Sequence, residues 1–135
     1  MRVTWNCAGV ILMSFLLFLP INRVALADAV MVDVKCPDST IKYNVEKYSY
    51  SRVNSDGKHK IVTGGTPDTR ISLSVVPVKT AGAPEGAPIG VGLAILVRKR
   101  VGESNVWNVT QFQNSFIPLD NIEEEVRKMI GEALM

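Results

Sequence analysis

The chain has 135 residues, of which 47% are hydrophobic, and it carries 15 lysines and arginines against 13 aspartates and glutamates. This length predicts one domain with one hydrophobic core and excludes two full-sized domains. A formal net charge of only +2 excludes the broad basic surface that nucleic-acid binding requires.

The first 27 residues have the pattern of a secretory signal peptide. Arg2 supplies a positive charge, residues 7–21 are almost uninterrupted apolar sequence, and Ala25, Leu26 and Ala27 form a small-residue cleavage site. The alternative, a membrane-spanning helix, is less favoured because the apolar run is shorter than the roughly 20 residues that cross a bilayer. We therefore expect cleavage after Ala27 and export to the periplasm or medium of a bacterium, with membrane contact only through this segment.

The mature chain, residues 28–135, is expected to form a single globular domain. Without Arg2 and Arg23 it holds 13 basic and 13 acidic residues, so its formal charge is zero. It retains one cysteine, Cys36, which cannot form an internal disulfide. Its flanks, Val34 and Pro37, favour a buried and inert thiol, and the alternative is a disulfide between chains.

The first half of the mature chain predicts short strands. Residues 28–35 alternate apolar and polar side chains, as a strand with one buried face does. Residues 41–53 are interpreted as a second strand with a bulge, because the alternation changes phase at Glu46 and Lys47. Asp56-Gly57 then predicts a hairpin turn. The polar return strand over residues 58–63 is expected at a sheet edge.

The second half predicts two longer strands and a helix. Residues 70–79 alternate between apolar side chains that point inward and side chains that point outward, and Pro77 indicates an edge or a bulge. Residues 80–88 are predicted to form a loop. Residues 89–100 and 106–117 are predicted to pair as long antiparallel strands. In the first of these, Gly90, Gly92 and Ala94 leave one face nearly flat, so that another group can approach the backbone.

The C-terminal segment predicts one amphipathic helix. Asp120 is a suitable N-cap with Glu123 three residues later, as in a capping box. The following apolar residues recur at helical spacing and form one stripe, consisting of Ile122, Val126, Met129, Ile130 and Ala133. The predicted fold is therefore α+β, with an antiparallel sheet of about five or six strands and this helix packed on one face.

The sequence is poor in catalytic and metal-binding groups. A zinc site needs three or four nitrogen or sulfur ligands, whereas the mature chain offers only His59 and Cys36. No nucleophile motif accompanies them, so a dyad of these two, or a hydrolase that uses His59, is the weakest hypothesis. We expect no enzyme activity, no cofactor and no metal.

The favoured hypothesis is a protein that binds another envelope or secreted protein, or that assists an envelope assembly. Edge strands are frequent templates for a partner's strand, and the candidate contact residues are Lys58, Ile61, Gly90 and Gly92. The alternative is a small-ligand or lipid-binding module with an apolar pocket lined by Tyr43, Trp107 and Phe112. The basic run at residues 98–100 is interpreted as a solvated strand end, too short for a nucleic-acid patch.

Overall fold

The computed structural model describes residues 27–82 and 86–135, so the predicted signal peptide lies outside it except for Ala27. The elements in chain order are β1 (Asp28–Lys35), α1 (Ser39–Asn54), β2 (His59–Ile61), β3 (Thr69–Val78), β4 (Gly90–Arg100), β5 (Trp107–Pro118), a 3-10 turn (Leu119–Asn121) and α2 (Ile122–Ala133). None of the helices in this part of the chain is both long enough and apolar enough to cross a bilayer.

The five strands form one sheet in the order β2-β1-β3-β4-β5. The two long pairings, β3 with β4 and β4 with β5, are antiparallel. β1 instead pairs in parallel with both β2 and β3. The α+β class is therefore confirmed. The sheet has five strands in the described residues, and two of its four pairings depart from the antiparallel prediction.

The largest correction concerns residues 41–53, which were predicted as a bulged strand and belong to helix α1. Asp38 caps this helix, because its Oδ1 atom accepts hydrogen bonds from the N–H groups of Thr40 and Ile41, both at 3.0 Å. The buried positions are four apart, which is a helical period, and they comprise Ile41, Val45, Ser49 and Val53.

The turn at residues 55–58 consequently joins a helix to a strand, and the predicted hairpin does not form. Gly57 has a φ of +68° there, a backbone conformation that glycine adopts without steric cost. The chain then enters β2, which lies at the edge of the sheet as predicted but runs parallel to β1. Segments β1, α1 and β2 thus form a parallel crossover unit.

The hydrophobic core lies between one face of the sheet and the two helices. The sheet contributes alternate residues of β1, β3 and β4, of which Val30, Ile71, Ile95 and Val97 are fully buried. Helix α2 contributes the five residues of the predicted stripe. Its predicted start is wrong, because residues 119–121 form a 3-10 turn and Asn121 precedes the helix without a capping side chain.

Pro77 lies in β3, an interior strand of the sheet, and does not disrupt the sheet. The pairing between β1 and β3 ends at Lys35 and Ser74, so β3 has no neighbour on that side where Pro77 occurs. The missing N–H of proline therefore costs no ladder hydrogen bond. The edge position that Pro77 predicted therefore applies only to the part of β3 beyond Ser74.

Candidate binding surface

The face of the sheet opposite the core is uncovered in the described part of the chain. We call it the open face. Its side chains alternate with those of the core along each strand. The central positions are Ser72, Ser74 and Val76 on β3, Gly92, Ala94 and Leu96 on β4, and Phe112, Asn114 and Phe116 on β5. Phe112 and Phe116 are 65% and 55% exposed, so two phenyl rings on this face are in contact with water.

Strand β5 forms one edge of the sheet and pairs only with β4 among the described residues. It is 12 residues long, and its sequence WNVTQFQNSFIP contains no charged side chain. Natural edge strands are usually short, charged or interrupted, because an unpaired edge attracts other strands. The devices of that kind in β5 are Pro118 at its end and a bulge at Thr110, where the register shifts opposite Val97 and Arg98.

The backbone of β5 directs alternate N–H groups away from the sheet. The Leu119 N–H donates to the Ile89 carbonyl at 3.3 Å, which fixes the phase of the ladder between β4 and β5. Counting back by twos, the N–H groups of residues 117, 115, 113 and 111 face β4. The N–H and C=O groups of Phe112, Asn114 and Phe116 therefore point outward along an edge of about seven residues.

The two glycines predicted to make the face smooth have different surroundings. At Gly90, a methyl group would lie 2.5 Å from the Ile117 carbonyl oxygen and 2.6 Å from Cζ of Phe116. The group that approaches the Gly90 backbone is thus the phenyl ring of the neighbouring strand. At Gly92 the nearest atom would be the Val76 oxygen at 3.9 Å, so the surface above Gly92 is vacant.

Three arginines lie side by side at one end of the open face, and we call them the arginine layer: Arg70, Arg98 and Arg100. Arg70 and Arg98 are directly opposite across β3 and β4. The Arg70 guanidinium lies 5.4 Å from the ring centre of Trp107, a cation–π contact. Arg100 donates to Asp68 Oδ1 at 3.1 Å. Sequence reasoning missed Arg70, because only the strand register brings it beside Arg98.

A groove of about 680 Å³ crosses the open face from Phe112 toward helix α1. Its walls are part apolar and part polar, and the polar residues include Asp33, Lys35 and Ser72 on the sheet and Glu46 and Tyr50 on α1. Partial burial raises the pKa of Tyr50, and the charges of Glu46 and Asp33 add to that effect. The Tyr50 hydroxyl is therefore neutral and can serve as a hydrogen-bond donor to a bound group.

The structure distributes the predicted contact residues over several places. Lys58 and Ile61 lie at the β2 edge, where Ile61 packs partly against the core. Of the predicted pocket residues, Phe112 alone lines the groove. Trp107 lies on the same strand against Arg70. Tyr43 lies on helix α1 and is 65% exposed, so the three do not line one cavity.

The side chains of His59 and Cys36 are far apart. His59 is paired with Asp28 at one end of β1, and Cys36 follows the other end. Eight residues of extended chain separate those ends by about 26 Å. His59 Nδ1 lies 2.8 Å from Asp56 Oδ2. In the part of the chain that the structure describes, no serine, threonine or cysteine bonds to the ring, and no cluster of three metal-ligating side chains occurs.

These features define a class of fold over residues 27–82 and 86–135: one five-stranded sheet with two helices on one face and the other face uncovered. No family model matches the chain, and no curated protein matches it. Solved structures with a similar fold include two crystal forms of the PelC dodecamer from Paraburkholderia phytofirmans, one of them of a leucine-to-methionine variant. Each is 11% identical with a TM-score of 0.47, covering 82% of this chain and 85% or 86% of the other. A likeness this distant transfers neither an assembly nor an activity.

Proposed function

We propose that this protein is an exported, non-enzymatic binding protein that captures an extended segment of a partner protein along β5. The observation that carries the proposal is an uncharged edge strand of 12 residues. An edge of that kind presents unpaired N–H and C=O groups at the spacing of a β-ladder. Addition of a partner strand satisfies them, which is a common mode of peptide recognition.

The opposite edge of the sheet supports the choice of β5. Strand β2 has only three residues, and Lys58 and Lys60 place positive charges beside it. Both features protect an edge from pairing. The sequence pattern favoured β2 as the docking edge, and the proposal moves that role to β5 because β5 has length and lacks charge.

The open face supplies side-chain contacts next to the proposed backbone ladder. An added strand would direct alternate side chains to the same side as Phe112 and Phe116. These two rings are exposed, so covering them removes apolar surface from water. We therefore propose that the partner segment is extended, uncharged and apolar on one face, with backbone hydrogen bonds giving affinity and the phenyl rings giving specificity.

The lipid or small-ligand hypothesis receives less support. The groove beside Phe112 is lined by several charged and hydroxyl-bearing residues, whereas an apolar ligand needs mainly hydrophobic walls. An enzymatic role likewise has few groups to support it, because Cys36 and His59 lie at opposite ends of β1.

Site-specific photo-cross-linking in the producing cell tests the proposal. A photoreactive residue is placed at Asn114 on β5, at Ile61 on β2, or at Glu124, which is exposed on helix α2. We expect one discrete adduct from position 114 and none from the other two. Mass spectrometry of the adduct distinguishes another protein from a second copy of this chain. Absence of an adduct at 114, or equal adducts at all three positions, contradicts strand capture.

A matched pair of variants separates backbone capture from side-chain contact. With the photoreactive residue at Gln113, Asn114→Pro removes an outward N–H, whereas Asn114→Ala keeps it. We expect the proline variant to reduce the adduct at least tenfold and the alanine variant to change it little. Phe112→Lys serves as a second variant that leaves the backbone intact and places a charge at the edge. Circular dichroism checks that all three remain folded.

A further inference from the structure

The arginine layer carries more positive charge than its surroundings neutralise. It contains three guanidinium groups, and among the described residues the one carboxylate bonded to them is Asp68, through Arg100. The Nε atoms of Arg70, Arg98 and Arg100 are shielded from solvent and bond to no acceptor in the described part of the chain. Buried N–H groups normally find a partner, so three neighbouring exceptions indicate that the layer lacks acceptors.

The register makes this arrangement unfavourable in the free protein. Arg70 and Arg98 are direct cross-strand neighbours on one face, and like charges in that position repel each other. The contact between Arg70 and Trp107 shows where the Arg70 side chain extends. β3 and β5 are roughly 10 Å apart, so the Arg70 guanidinium and the Trp107 ring meet over β4, the strand that carries Arg98 and Arg100.

The acidic groups nearby do not relieve the repulsion. Asp68 is already engaged on both oxygens, since Oδ2 accepts from the Ala29 N–H at 3.0 Å and Oδ1 from Arg100. Asp33 of β1 lies on the same face two residues from the position opposite Arg70. It forms no ion pair with Arg70 or Arg98 in the described structure. Arg98 therefore lines the groove without a carboxylate partner.

We propose that Arg70 and Arg98 form a binding site for a phosphate group carried by a ligand. A guanidinium group presents its N–H donors in a planar fork that matches two oxygens of such a group. The bound phosphate supplies the acceptors that the layer lacks and separates the two positive charges. Ser72, adjacent on β3, and the Trp107 ring bound the site on either side. This site is independent of strand capture at β5.

Isothermal titration calorimetry with inorganic pyrophosphate tests the site, using protein expressed from the complete sequence. A parallel arm measures co-sedimentation with phosphatidylcholine vesicles, with and without phosphatidylglycerol. Binding to pyrophosphate alone indicates a soluble phosphate ligand, and binding only to the anionic vesicles indicates a lipid headgroup. We expect the affinity to fall as salt is raised. Binding in neither arm overturns the proposal.

The variant Arg98→Gln separates a binding role from a structural one. It removes one of two repelling charges, so we expect Kd to rise at least tenfold while Tm rises by about 1–5 °C. The control Arg127→Gln removes the same charge from helix α2, where its partner is Glu123, and should change Kd less than twofold. Unchanged binding in Arg98→Gln, or equal loss in both variants, contradicts the site. The cross-link from β5 should persist in Arg98→Gln.

Discussion

Along β4, the side chains of Val91, Leu93, Ile95 and Val97 are at most 2% exposed, whereas the residues between them face the open side. Both sets belong to one strand, in which successive side chains point to opposite faces of the sheet. The difference shows that burial under the two helices selects large apolar side chains on one face only. The other face is free of that requirement and combines glycine, exposed phenyl rings and arginines.

The largest expected effect comes from neighbouring truncations on the two faces. Ile95→Ala removes a fully buried side chain from between sheet and helices and should destabilise the domain by about 2–5 kcal/mol. Leu96→Ala, one residue later on the open face, should cost less than about 1.5 kcal/mol. Urea unfolding of both variants measures the difference. Equal losses would mean that the open face is packed in solution.

Two glycines on the open face sharpen the comparison. Gly90→Ala places a methyl group within 2.6 Å of both the Ile117 carbonyl and the Phe116 ring, so we expect a cost of about 1–3 kcal/mol. In Gly92→Ala the added methyl group would lie 3.9 Å from its nearest neighbour, the Val76 carbonyl oxygen. This variant should be neutral or slightly stabilising, because alanine restricts the unfolded chain. Thermal unfolding compares the two. A large loss for Gly92→Ala would show that its surface is covered.

The smallest expected effect is a pH dependence of folding stability, which arises from Asp68 on the open side of the sheet. Hydrogen bonds from the Ala29 N–H and then from Arg100 hold the pKa of Asp68 below its ordinary value of 3.8. A carboxylate whose pKa is lower in the folded than in the unfolded state stabilises the fold above the unfolded value. That contribution is lost as pH falls through the folded pKa.

Asp68→Asn tests the assignment of this pH dependence. Stability measured from pH 6 to pH 2.5, about the range over which carboxylates titrate, should fall less steeply at its acidic end in the variant than in the parent. Asp56, whose pKa is also lowered, chiefly by the Lys58 N–H, is retained in both proteins and serves as the internal control. Identical slopes would mean that Asp68 contributes nothing to acid stability.

The sequence predicted the second half of the fold well, because the apolar residues there recur at one regular spacing over many positions. Alternation in residues 89–100 identified the buried face of β4, and the stripe from Ile122 to Ala133 identified the buried face of helix α2. Helix α1 was missed because Ser49 interrupts its apolar stripe, and because tyrosine and valine favour strands locally. Its apparent phase change at Glu46 was the helical period itself.

The candidate surface was harder to predict than the elements that form it. Edge position depends on strand order, which short-range patterns do not contain, so β2 was favoured over β5. The pairing of Arg70 with Arg98 likewise depends on register between strands far apart in sequence. Gly92, predicted as part of a flat strand face, and Phe112, predicted as part of an apolar pocket, both lie on the open face. Their role in binding stays a prediction.

Amide hydrogen exchange along β5 tests most directly whether this edge is vacant and becomes covered by a partner. In the purified protein, the amides of Phe112, Asn114 and Phe116 should exchange rapidly, while those of Gln111, Gln113 and Ser115 are protected by β4. In the cross-linked complex the first set should become protected as well. Uniform protection of β5 in the purified protein, or unchanged exchange of the first set in the complex, would contradict the account.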